Sequence, residues 1–132
     1  MEQPGKLRLD GPAWLTVQQN LYVAFGPFAA IVEPLSILLM WCLVVLLRGQ
    51  PGRRGLALFA ALSASIGLVV WTSVVSPMNA RLNGWTAATL PADWTATRAR
   101  WELGHAIHAA LFGAAFSALI IEAVLPRKPT PN

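Results

Sequence analysis

The chain has 132 residues, of which 55% are hydrophobic and 12% charged, with a net charge of +4 and a mean hydropathy of +0.53. Soluble domains carry about 25% charged residues, so this composition excludes an ordinary water-soluble globule, and its apolarity excludes a disordered chain. Cys42 is the single cysteine and closes no intrachain disulfide. The ten Lys and Arg stand in short groups beside apolar runs, as in membrane proteins, and not on the basic face that nucleic acid requires.

In chain order, Glu2 to Asp10 lacks the apolar stretch of a signal peptide. Residues 12–25 then read as an amphipathic helix opened by Pro12, with Trp14, Val17, Leu21 and Ala24 on one stripe. Three apolar runs follow, 28–47, 55–76 and 103–125. Each approaches the roughly 20 residues that a helix needs to cross about 30 Å of hydrocarbon. No strand alternation marks a barrel, so the spans are predicted to be helices. Arg48 to Arg54 is a basic turn with Pro51 and Gly52 between two spans, and Pro126 closes the third before a polar tail. Segment 77–101, with Trp85, Trp94 and Trp101, reads as a Trp-rich cap loop containing a hairpin or a short interfacial helix. The predicted fold is thus an all-α integral membrane helical bundle with three transmembrane helices in one domain.

Three spans place the N-terminus and the cap on one side and the basic turn and tail on the other. Lys and Arg divide five against five, so the positive-inside count is tied. The acid-free short turn favours its own side as cytoplasmic, with the aromatic cap outside.

Helices in lipid associate through small residues. The second span offers Ala57, Ala61, Ala64 or Ser65, and Gly67 or Leu68. The third offers Ala109, Gly113 and Ser117 in line with His105; the first offers Ala29 or Ala30, Glu33, Ser36 and Met40. These stripes predict that Glu33 and His105 face a shared interior. A thin bundle of three helices would shield them poorly, which predicts oligomerisation or a further helix.

Glu33 adjoins Pro34, which deprives the Ala30 carbonyl of its helical donor, and an ionisable group at that depth marks a functional site. Glu102 and His105 stand three apart, the Glu-x-x-His spacing of di-iron bundles, but it occurs once. Both are therefore weak metal candidates, and no metal is assigned. The plain alternative pairs Arg98, Arg100 and Glu102 at the interface and has His105 hydrogen-bond across the bundle. Walker, G-x-G-x-x-G and C-x-x-C motifs are absent.

Trp14-Leu-Thr-Val-Gln-Gln19 with Leu21-Tyr22, Pro77-Met-Asn79 with Leu82 and Trp85, and Asp93-Trp94 followed by Arg98-Ala-Arg-Trp101-Glu102 and His105 carry a resemblance to the DUF1772 family of small membrane proteins, which includes the anthrone oxygenases. The resemblance covers most of residues 1–125. It implies a four-helix membrane bundle whose characterised members oxidise anthrones to anthraquinones, and it supplies no established cofactor. Against the family pattern, the arginine expected three residues after His105 is replaced by His108. The resemblance also implies a first helix that would stand ahead of Met1, to be supplied by upstream sequence or by another chain.

The expected function is binding, with oxidation, of a small flat apolar molecule between bundle and cap. In that reading His105 is the general base. Asn79 and Arg98 hold an oxyanion or carbonyl, Trp85, Trp94 and Trp101 stack on the rings, and Glu33 and His108 complete the ligand site. The alternative is a non-catalytic accessory subunit of a larger membrane complex. Expected partners are the lipid bilayer, an aromatic ligand, and a second copy or a membrane subunit. The expected location is the bacterial inner (plasma) membrane.

Overall fold

A computed structural model describes residues 3–22 and 25–126, and among them all regular structure is helical. Ala24 of the predicted stripe and the tail 127–132 lie outside the described residues. After a short turn α1 (Gln3–Lys6), Asp10 caps α2 (Gly11–Leu21) by accepting the Ala13 N–H at 2.9 Å. The buried face of α2 carries Gly11, Trp14, Leu15 and Gln18, and Leu21 lies exposed. The predicted stripe is therefore rotated toward Leu15 and Gln18, because α2 turns that face onto Leu82, Leu90 and Trp94.

Three helical runs are long and apolar enough to cross a membrane: α3 (Phe25–Leu46), Pro51–Asn83, and α6 (Trp94–Val124). The middle run is compound: α4 (Pro51–Val70), a π-helical turn (Trp71–Val75), and α5 (Ser76–Asn83). The predicted span stops at residue 76, and the helix runs on through Pro77, a residue that removes a helical donor and crowds the preceding turn. The π turn removes that obstacle. Its widened register, with the Ser76 N–H bonded to the Trp71 carbonyl, gives the Pro77 ring room, and the missing N–H falls in the first turn of α5. Thr72 and Ser73 donate their hydroxyls to the Leu68 and Val69 carbonyls where the register changes. At the other side of the cap, α6 begins at Trp94, well before the predicted 103. Arg98 and Glu102, which the plain alternative pairs at the interface, do pair, along the helix at 3.0 Å. The cap connection thus shrinks to 84–93, and it is neither a hairpin nor an independent helix.

Helix α4 is central, with α3 and α6 both packed on it. Its alanines set the spacing. Ala57 and Ala61 meet Val44 and Leu47 of the α3 end, and Ala60 and Ala64 meet Ala115 and Ala118 of α6. Such close approach through small side chains replaces the hydrophobic drive that lipid cannot supply. On α6 the contact face runs through Gly104, Leu111, Ala115, Ala118 and Glu122, spaced by seven, four, three and four residues. The predicted stripe Ala109, Gly113 and Ser117 instead lies exposed. Both faces are rich in small residues, so composition alone did not separate them; the Ser63 hydroxyl bonded to the Leu111 carbonyl at 2.9 Å shows which one meets α4.

Gly104 tests this face. A Cβ there would stand 2.8 Å from Val75 Cγ2 and 3.1 Å from Val74 Cγ1, whereas one at Gly113 meets nothing within 4 Å. Gly104→Ala should therefore lower stability by roughly 1–3 kcal/mol through overpacking. Gly113→Ala should raise it by up to about 1 kcal/mol through helix propensity. Thermal unfolding in detergent reads both; an equal response would contradict the packing.

Candidate functional site

A cavity of about 500 Å³ opens between the cap and one end of the bundle. Helix α2 contributes Gln18 and Tyr22, and the N-terminal half of α3 contributes Phe25, Ala29 and Glu33. Trp71 of the π turn and Asn79 and Asn83 of α5 add to the lining, and α6 completes the wall with Trp101, His105 and His108. The wall is thus aromatic and aliphatic, with carboxamides, two imidazoles and one carboxylate set into it. Apolar lining with a few polar groups is the usual make-up of a small-molecule site.

The local sequence explains each placement. His105 and His108, three apart on α6, share the cavity wall. The partner of Glu33 is His108, at 3.2 Å, and not His105. The three-residue step turns His108 toward α3, and its ring also packs on Phe112 at 4.6 Å. Glu33 and His108 tie α3 to α6 beside the carbonyl that Pro34 leaves open. Trp101 donates its indole N–H to Asn79 Oδ1 at 2.6 Å, across α6 and α5. The Trp101 ring meets the edge of His105 with centroids 4.2 Å apart. His105 itself is half-buried, and its Nε2 is enclosed without a hydrogen-bond partner. The bond across the bundle that the plain alternative gives His105 is not made to Glu33 or Asn79, which pair instead with His108 and Trp101.

Three of the proposed ligand contacts lie elsewhere. Arg98 is 6% exposed and absent from the cavity wall. Its guanidinium stands 5.8 Å from the Trp14 ring and 5.7 Å from Trp94, and its Nε donates to Glu102. Two indole faces and one carboxylate compensate the buried charge. Trp94 packs on Trp14 at 5.5 Å, and Trp85 packs on the same cluster with Leu15 and Leu82. These two indoles build the cap's own core, so Trp101 is the cap tryptophan left to face a ligand, joined there by Trp71. Glu102 is taken by Arg98 and does not line the cavity, so it and His105 do not form a ligand pair. Among the described residues no group of three or more His, Cys, Asp or Glu converges for a metal.

Among the cavity residues missed, with Trp71 and Asn83, is Gln18, which lies off the apolar stripe read from the sequence. It is 8% exposed, lines the cavity, and its Nε2 has no partner. Its neighbour Gln19 has the opposite fate: its Nε2 donates to the Leu82 and Trp85 carbonyls at 2.8 and 3.0 Å, holding α2 against the end of α5. The signal was present in the sequence, since Gln18 stands four residues after Trp14 on the same helical face.

Comparison with protein-family models, curated proteins and solved structures finds no match to this chain.

Proposed function

We propose that this chain is a membrane protein of the DUF1772, anthrone oxygenase-like kind that binds a small, flat, largely apolar molecule in the cavity beneath its cap, with His105 accepting a proton from it. The observation that carries this reading is the enclosed, unpartnered Nε2 of His105 in a cavity walled by Trp71, Trp101 and Phe25. A buried polar atom without a partner is costly, and a ligand group supplies the missing one. An imidazole beside a bound aromatic can take a proton from an acidic C–H or O–H, with the electron pair passing to a conjugated oxygen. The location proposed is the bacterial inner membrane, because outer-membrane spans are barrels and these are helices.

Anthrone labelled with deuterium at its methylene, in the absence of oxygen, tests the proton step without any oxidant. The purified protein should accelerate washout of the label, and His105→Gln should reduce that acceleration roughly 10²- to 10⁴-fold with the fold intact. His108→Gln should reduce it less. Equal tolerance at both positions would remove His105 from the role.

A second reading, an accessory subunit or a homo-oligomer, rests on the exposed stripe Ala109, Gly113 and Ser117, small enough for another membrane helix to approach closely. Such a chain would purify in stoichiometric complex and lack saturable ligand binding.

A further inference from the structure

The polar chemistry of the cavity specifies more than a flat ligand. Three carboxamides line it, Gln18 on α2 and Asn79 and Asn83 on α5. Asn79 accepts the Trp101 indole N–H on its amide oxygen, which orients the amide and leaves its NH2 to donate. Gln18 is more than nine-tenths buried, and its Nε2 has no partner. The Gln18 backbone is fixed by the cap core, since Trp14 and Leu15 on the same face are essentially inaccessible and Gln19 is pinned to α5. The amide is therefore held in place and enclosed, which is how a hydrogen-bond donor is preorganised for a ligand.

Resting on the ligand-binding reading above, we propose that Gln18 is a specificity-determining residue that donates its side-chain N–H to an acceptor oxygen, such as a carbonyl, on the bound molecule. Asn79 supplies a second donor on the opposing α5 wall. A ligand lacking that oxygen leaves the buried amide unsatisfied and binds more weakly. Sites built around a buried donor discriminate in this way against analogues without the matching group.

Fluorene and 9-fluorenone share one flat frame and differ by a single carbonyl, so they isolate the contact. Binding to the full chain in detergent is followed by saturable quenching of tryptophan fluorescence. The parent should prefer 9-fluorenone by roughly 5-fold, the worth of one net hydrogen bond. Gln18→Met should abolish the preference while fluorene still binds. Gln18→Glu, which exchanges the NH2 for a second acceptor, should disfavour 9-fluorenone below fluorene. Melting temperatures of both variants establish that the cap remains folded, and Gln18→Glu carries the test if Gln18→Met does not fold. An unchanged preference in a folded variant overturns the role of Gln18 and leaves the ligand-binding reading standing. Failure of both probes to bind the parent overturns that reading, and the role of Gln18 with it.

Discussion

Glu122→Ala is expected to destabilise the protein by roughly 3–5 kcal/mol, because it leaves the Arg53 guanidinium enclosed without its counter-charge. The two side chains are 7% and 17% exposed and form an ion pair from the start of α4 to the end of α6. Gln50 also accepts from Arg53 Nη1 at 2.9 Å, so the guanidinium is anchored on both sides. Removing the carboxylate therefore releases α6 from α4 at the end remote from the cavity. Glu122→Gln keeps an acceptor and should cost less. Denaturation in detergent monitored by circular dichroism reads the difference. A melting temperature unchanged by Glu122→Ala would show that the pair holds nothing.

The second large effect belongs to Trp14. Its side chain is fully buried among Leu82, Trp85, Leu90 and Trp94, and Arg98 lies over its ring. Trp14→Ala should cost roughly 3–5 kcal/mol, as expected for a large core aromatic. The loss falls on the contact between α2 and α5, which is also a cavity wall through Gln18 and Asn79. Faster proteolysis within 84–93 should accompany it, together with loss of ligand quenching. Trp14→Phe, which keeps an aromatic face under Arg98, should retain much of both. A cap that resists protease equally in Trp14→Ala would contradict this account of how it is held.

The three apolar helices were readable from the sequence because lipid demands long uncharged runs, and no later contact alters that requirement. Their ends were harder. Pro77 disfavours an uninterrupted helix by local rules, and the π turn before it accommodates the continuation to Asn83. The pairing of Arg98 with Glu102 was readable as the plain alternative to a ligand role, and α6 brings it about at a four-residue spacing. The candidate site divides along the same line. Glu33, Asn79, Trp101, His105 and His108 line one cavity, since ionisable and amide groups on apolar helices turn away from lipid. Trp85, Trp94 and Arg98 are chemically equal candidates in the sequence, but the cap needs a core of its own and takes them for it. Which histidine meets Glu33 was also hidden, because it depends on the rotation of α6 against α4. That rotation is set by Gly104 on Val74 and Val75 and by Ala115 and Ala118 on Ala60 and Ala64.

The central claim is that the cavity beneath the cap is a small-molecule site, and filling it is the most direct challenge. Ala29 lines it from α3, away from the cap core and from the α4 packing face. Titration of 9-fluorenone into the parent and into Ala29→Phe, followed by tryptophan quenching, compares an open cavity with an obstructed one. Saturable quenching is expected in the parent and its loss in Ala29→Phe, at melting temperatures that stay close. Saturable quenching of equal affinity in both would place the ligand elsewhere and contradict the claim.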